Sequence, residues 1–474
     1  LSSISVPAQV PSQVFTSPRK KAAKLTFWPL VAATFFMVSG GTYGTEGIIQ
    51  GAGYGRGILI LLFLPVLWCL PTAFMIGELS SALPHEGGYY AWVRRGLGNF
   101  WGFQEAWLSL AASIFDMAIY PTLFVTYLKQ MSPWFGAGDH GLYAGLFVVV
   151  ACAALNIAGI RVVGITSLWL FFLLSLPFAI VTVMAPFQAG TLASVLEPQS
   201  AATGASVGLL SGVLVAMWNY MGWDNASTIA QEVERPQRTY PKAMIAAVIL
   251  VALTYVLPFF AVYFTGIPAS SFSDGSWAAV AGAIGGKIMG FEWLRFCIAL
   301  GGMMSAFGMF NALVMSYSRL PLAMSWDGML PKIFGKTSRK TNAPWVAILV
   351  CAACWALCLK LDFSRLVTLD IMLYGLSLSL EFVTLVVLRI REPNLKREFK
   401  VPGGLPGVII TGLFPVALLG LALVKSKGET ILRMNALLFG ILIILAGFVV
   451  YGATGKLRRR ATGVPPEFAE TETA

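Results

Sequence analysis

Apolar runs follow one another from about residue 27 to residue 453, many as long as the roughly 20 residues that carry a helix across a bilayer. Hydrocarbon offers no water to the backbone, so each run must satisfy its own amides and carbonyls and folds as a helix. Only 12% of the 474 residues are charged, against about 25% in a soluble domain. The sequence predicts an all-α polytopic membrane protein. Twelve transmembrane helices fit, at about 27–50, 57–82, 101–129, 142–160, 163–185, 206–230, 241–266, 292–318, 344–360, 364–388, 404–424 and 432–453. A membrane domain at 27–453 then lies between tails at 1–26 and 454–474. Residues 1–18 are polar and Pro/Ser-rich, and the first apolar run is too long for a signal-peptide core, so no cleaved leader is expected.

Loops on one side of these spans hold 24 of the 33 Lys and Arg residues. By the positive-inside rule that side is cytoplasmic, which puts both termini in the cytoplasm. The net charge of +11 is thereby read as a topology signal, and no nucleic-acid partner is expected. The loop "PHEGGYYAWVRRGLGNFWGF" (84–103) is too apolar for a linker and is expected to pack as a short helix at the membrane face.

The six Cys all lie in apolar runs, three of them in "CAACWALC" (351–358). No acid or His accompanies them, so they read as small polarizable packing residues. The only His, His85 and His140, fall in loops. Hydrolytic triads and His-based metal sites lack material, and neither an enzyme nor a cofactor or metal is expected.

Two spans are interrupted. Span 1 contains "VSGGTYGTEG" (38–47) and span 6 contains "WNYMGWDNAS" (218–227). Each interruption carries Gly and polar residues and an acid, Glu46 or Asp224. Matched broken helices five spans apart point to a transporter built from inverted repeats; two Gly kinks for close helix packing are the plainer alternative. A broken helix frees amides that bind carboxylate and carbonyls that bind ammonium or cations. Ser39, Gly40 and Gly41 are the candidate unwound backbone, with Asn219 beside the second break. Tyr43, Tyr120, Trp218, Tyr220 and Trp223 offer ring faces to a cation.

An ionisable group at membrane depth is a functional hypothesis by default. Asp116 stands mid-span in "SIFDMAIYPTLF", with Tyr120 one turn on along the same face. Glu46, Asp116 and Asp224 have no basic neighbour in their spans and need a positive charge: a cationic substrate, protons or metal ions. They are the candidates for proton coupling. Glu78 and Glu105, near cytoplasmic span ends, read as structural acids paired with Arg94, Arg95 or water. Asp370 and Glu381 share a face of span 10, and Glu381 reads as a structural pair or hydrogen-bond anchor, with Arg389 two turns on. Arg295 is the one obvious intramembrane cation, near the outer edge.

These stretches, with "WCLPTAFMIGELSSALPHEGGYYAWVRRGLGNFWGFQEAW", "FDMAIYPTLFVTYLK", "NYMGWDNASTIAQEVERPQRTYPKAM" and "LEFVTLVVLRIREP", resemble the amino acid–polyamine–organocation superfamily over nearly the whole chain. Within it the likeness is to plant polyamine uptake and related L-type amino acid transporters. The resemblance implies twelve spans, a five-plus-five inverted repeat with helices 1 and 6 broken, substrate held between spans 1, 3, 6, 8 and 10, alternating access and commonly proton coupling. It implies acids at Glu46, Asp116 and Asp224, and a substrate-stacking Trp at Trp218. Plant relatives usually carry Pro where Thr42 stands, an acid at Gly47 and Asn at Met117.

The expectation is a plasma-membrane importer of polyamines or amino acids, cationic amines favoured, coupled to protons and embedded in the lipid bilayer. A neutral amino acid permease of the same fold is the first rival, with Met117 and Gly47 lining an apolar pocket. A non-transporting sensor or partner subunit is the second.

Overall fold

A computed structural model describes residues 25–83, 87–159, 165–190, 192, 208–289, 292–426, 430–431 and 434–455. The elements are helical throughout, apart from a two-residue ribbon pairing Thr430–Ile431 with Met434–Asn435. In chain order the helices are α1 (Phe27–Val38), α2 (Glu46–Leu64), α3 (Leu70–Ala82), α4 (Gly88–Leu97), α5 (Asn99–Met131), α6 (His140–Ile157), α7 (Ile165–Met184) and α8 (Leu209–Asn219). There follow α9 (Pro236–Tyr263), α10 (Ser276–Met289), α11 (Trp293–Tyr317), α12 (Arg319–Trp326), α13 (Trp345–Leu357), α14 (Phe363–Arg391), α15 (Gly404–Ser426) and α16 (Ala436–Ala453). Among the described residues, eight helices are long and apolar enough to cross a membrane, and Phe27–Val38, Trp345–Leu357 and Leu437–Ala453 are shorter apolar helices. The protein is a multi-pass membrane protein.

The packing sorts these helices into an inner and an outer set. α5 packs most extensively against α14 and α11, and α1 lies against α9, α7 and α11. Of the most hydropathic stretch of α5, 78% is buried, against 22% for Trp169–Gln188. The outer helices turn large apolar side chains outward, among them Phe147, Trp169, Phe172, Leu413 and Val449. In water that surface would be costly; in lipid it is matched.

Local chemistry sets the element ends. α1 stops at Val38, where "SGGTYG" follows and Ser39 turns extended (φ −139°, ψ 131°). α8 stops at Asn219, and the chain resumes as a 3₁₀ helix at Trp223–Glu232. Gly222 between them has φ 86°, and a Cβ there would stand 2.8 Å from the Met37 carbonyl oxygen. Only glycine meets both demands cheaply.

Two span boundaries differ from the sequence reading. Spans 1 and 2 were expected to part over residues 50–57; instead helix continues from Glu46 through a π turn at Pro65–Cys69 to Ala82, divided only at Gly53 (φ 74°, ψ 173°). One left-handed glycine redirects the chain without a loop. Span 6 ceases to be α-helical at Asn219, and its remainder is 3₁₀. In the 84–103 loop, α4 forms the expected short helix, starting at Gly88; residues 84–86, with His85, lie outside the described residues, as do Arg161 and most of both tails.

Candidate functional site

The two interruptions meet. Asn219 donates through Nδ2 to the Gly44 carbonyl at 3.2 Å, which ties the end of α8 to the first break. The Ser305 hydroxyl on α11 donates to the Gly40 carbonyl at 2.6 Å, and a Cβ on Gly40 would overlap Ser305. Ser39 Oγ accepts the Gly41 amide at 3.1 Å. Gly222 donates its amide to the Tyr374 hydroxyl at 3.3 Å, so α14 closes over the second break. Each broken segment is thus held by side chains from a neighbouring helix, while the Ala216, Met217 and Trp218 carbonyls at the end of α8 accept from the Tyr220 and Met221 amides.

A cavity lies at this meeting point. Met37, Val38, Ser39, Gly40 and Tyr43 line it from the first break; Asp116, Tyr120 and Leu123 from α5; Trp218, Asn219, Met221, Gly222 and Asn225 from the second; Ser305, Met309 and Tyr317 from α11; Asp370 and Tyr374 from α14. Its free space is about 20 Å³, room for roughly one water. The lining holds two carboxylates and no Lys, Arg or His.

Of the two cavity acids, Asp116 is the better anchored. Its Oδ1 accepts from the Tyr120 hydroxyl at 3.0 Å and from Trp218 Nε1 at 3.4 Å, and its Oδ2 from the Tyr317 hydroxyl at 3.1 Å. Asp370 is also buried, and its Oδ2 has no hydrogen-bond partner among the described residues. Two neighbouring buried acids, one lacking a donor, form a surface short of positive charge. Trp218 packs tilted against Tyr120 at 6.2 Å between ring centres and edge-on to Phe363 at 5.3 Å.

The sequence candidates divide. Ser39, Gly40, Tyr43, Asp116, Tyr120, Trp218 and Asn219 line the cavity. Asp224 stands one hydrogen bond behind it, its Oδ1 accepting from the Tyr374 hydroxyl at 2.6 Å. Gly41, Tyr220 and Trp223 are not in the lining: the Tyr220 hydroxyl donates to the Leu61 carbonyl and Trp223 Nε1 to the Tyr220 carbonyl. Glu46 is also elsewhere. Its Oε1 accepts from the Tyr127 hydroxyl at 2.7 Å and the Gly275 amide at 3.1 Å, in the first turn of α2, whose dipole favours an anion. The three acids do not share one wall, because Glu46 belongs to the half-helix after the break and points away from α8.

The sequence candidates for the binding site do not include Tyr317, Tyr374 and Ser305, and Asp370 enters the sequence reading only as an intramembrane acid that shares a face with Glu381. The others are hydroxyl residues in helices that look like packing until a neighbour is known.

Two charge assignments need correcting. Glu78 does not pair with Arg94 or Arg95. It is clamped by Arg389, through Nε at 2.5 Å and Nη2 at 2.6 Å, with Arg397 Nε at 3.1 Å and the Val401 amide at 2.7 Å. Arg94 instead pairs with Asp327, and Arg95 with Glu392 at 2.7 Å. Arg389 is engaged by Glu78, and among the described residues Glu381 has no basic partner and neither of its carboxylate oxygens is hydrogen-bonded. Glu105 accepts from Ser109 and Ser377 through Oε1. Arg295 pairs with Glu292 at 3.5 Å and is partly exposed.

With this geometry in view, the family profile described as amino acid permease matches residues 31–451. The chain belongs to the amino acid permease family. It is 33% identical to the polyamine transporter RMV1 of Arabidopsis thaliana over 433 residues, covering 90% of this chain and 86% of that one. It is 32% identical to the polyamine transporter PUT1 of Oryza sativa subsp. japonica over 424 residues, 89% of this chain and 78% of the relative. A more distant likeness, 24% over 458 residues, joins it to the serine/threonine exchanger SteT of Bacillus subtilis (strain 168), covering 94% and 98% of the two chains. This permease is a transporter, not an enzyme.

Proposed function

We propose that the protein imports cationic amines, polyamines foremost, across the plasma membrane by proton-coupled alternating access. Twelve spans in a five-plus-five inverted repeat, with both termini cytoplasmic, are the architecture of this reading. The observation that carries it is the cavity: Asp116 and Asp370 line it, Asp224 backs it through Tyr374, and among the described residues no cationic side chain is in its lining. A substrate ammonium would supply the missing charge, with Trp218 and Tyr120 as ring faces beside it. The likeness to plant polyamine transporters over nine-tenths of the chain supports the same substrate class. A neutral-amino-acid reading looks to Met117 and Gly47 for an apolar pocket, and neither lines the cavity. Glu46 serves here as a coupling candidate on the far side of the break.

The test is uptake of labelled putrescine or spermidine by the protein in liposomes, with leucine as competitor and an imposed pH gradient. Polyamine uptake that leucine does not suppress and that needs inward proton flow is the expected result. Leucine uptake without polyamine competition would overturn the substrate assignment, and a sodium requirement would overturn the coupling.

A further inference from the structure

Behind the cavity a buried polar seam runs between α5 and α14. On α5, Glu105, Ser109, Ser113, Asp116 and Tyr120 recur at helical spacing on one stripe; on α14, Asp370, Tyr374, Ser377, Glu381 and Thr384 do the same. All are buried. The stripes face each other: Ser109 Oγ and Ser377 Oγ lie 2.8 Å apart, and both hydroxyls donate to Glu105 Oε1, at 2.9 and 2.7 Å. The seam begins at Asp116 and Asp370 in the cavity and ends eleven residues away at Glu105 and Glu381, roughly 16 Å along the helices.

Its far end is unbalanced. Among the described residues, the fully buried Glu381 has both carboxylate oxygens unpartnered, and Glu105 Oε2 is unpartnered too. Tyr89 of α4 and Asp224 are within electrostatic range of both acids, and neither is a cation. Glu78 of α3 is neutralised by Arg389 and Arg397. α8 and α16 carry no charged residue, and α15 has only Lys425, in its last turn. Two buried carboxyl groups in this setting call for a proton. α4 packs closely on this end of α14: a Cβ on Gly96 would stand 2.8 Å from Thr384 Cγ2.

We propose that Glu105 and Glu381 form a second proton site, which takes the proton from the cavity acids and releases it to the cytoplasm when α4 moves. Tyr374, hydrogen-bonded to Asp224, stands one turn from Ser377 on α14, and the Ser377 and Ser109 hydroxyls donate to Glu105 Oε1. In the proposal the proton crosses the one-turn gap through a water or a side-chain movement and comes to rest on the Glu105–Glu381 pair, so that no bond to carbon changes and no oxidant or reductant is needed. The inference rests on the proton-coupled reading above.

The experiment uses full-length wild-type protein, Glu381→Gln and Glu105→Gln in liposomes. Three quantities are read: substrate binding by thermal shift, putrescine-for-putrescine exchange, and net uptake driven by a pH gradient. Both variants should bind and exchange as wild type does, while gradient-driven uptake falls on the order of tenfold or more and its pH profile flattens. Gradient-driven uptake equal to wild type in both variants overturns the second site and leaves the coupling reading intact. Wild type indifferent to the gradient, or driven by sodium, overturns both. Should a variant fold poorly, wild type is treated with a lipid-soluble carbodiimide, which modifies protonated carboxyl groups in apolar surroundings. Peptide mass spectrometry should find the label on Glu381 or Glu105, lost at high pH; its absence from both overturns the site.

Discussion

Tyr374 reaches Asp224 at 2.6 Å through its hydroxyl while lining the cavity, and the same hydroxyl accepts the Gly222 amide at 3.3 Å. One side chain of α14 thus joins the cavity, the second helix break and an acid outside the cavity wall. Tyr374→Phe keeps the ring and removes both hydrogen bonds. Losing a hydrogen bond to a charged group costs about 1.5–3 kcal/mol, so polyamine uptake should fall by roughly tenfold or more. Initial-rate uptake in liposomes checks it, and unchanged kinetics would remove Tyr374 from the transport cycle.

Asp116→Asn preserves size and leaves an acceptor for some of the three donors, yet removes the anchored negative charge of the cavity. Substrate binding should weaken by about 2 kcal/mol or more, while the fold survives. The expected signature is an intact melting transition in detergent that polyamine no longer raises.

Gly222→Ala tests the second break. Its φ of 86° and the Met37 carbonyl 2.8 Å from the added Cβ both resist a side chain. Strain of about 1–3 kcal/mol is expected, seen as a lower melting temperature. Gly55, with open space at its Cβ position and no left-handed φ, should accept Ala nearly silently and serves as the control.

Glu78→Gln removes the counter-charge of two guanidinium groups at a fully buried position. Breaking one side of a buried ion pair costs about 3–5 kcal/mol. Loss of monodisperse protein on size-exclusion chromatography is expected. A Glu78→Gln protein as stable as wild type would mean that the clamp does not hold the fold.

Outside the spans, the Arg95 hydrogen bond holds Glu392 below its ordinary carboxylate pKa. A depressed pKa gives stability that is present above the unfolded-state value and lost as pH falls through the folded one. The pair is partly exposed, so its worth is about 0.2–1 kcal/mol. The melting-temperature gap between wild type and Glu392→Gln should therefore be small at neutral pH and close on acidification below the usual carboxylate range.

What the chain shows unaided is local. Apolar runs demand helices because hydrocarbon leaves the backbone no other partner, and glycines at 40, 41, 44 and 222 interrupt two of them. Asp116 and Tyr120 could be paired from one-turn spacing alone, since both lie on one helix. What needed the tertiary structure is every relation across helices. Glu46 looks equivalent to Asp224 in sequence, but it faces Tyr127 and Gly275, because the chain direction after a break depends on what packs there. Arg389 stands two turns from Glu381 on its own helix and binds Glu78 from another, its guanidinium fork donating to that distant carboxylate and to the Val401 carbonyl. Asp370 became a cavity acid, and Glu381 an acid without a partner among the described residues, for the same reason. Helical periodicity says which residues share a face, while only packing says what that face meets.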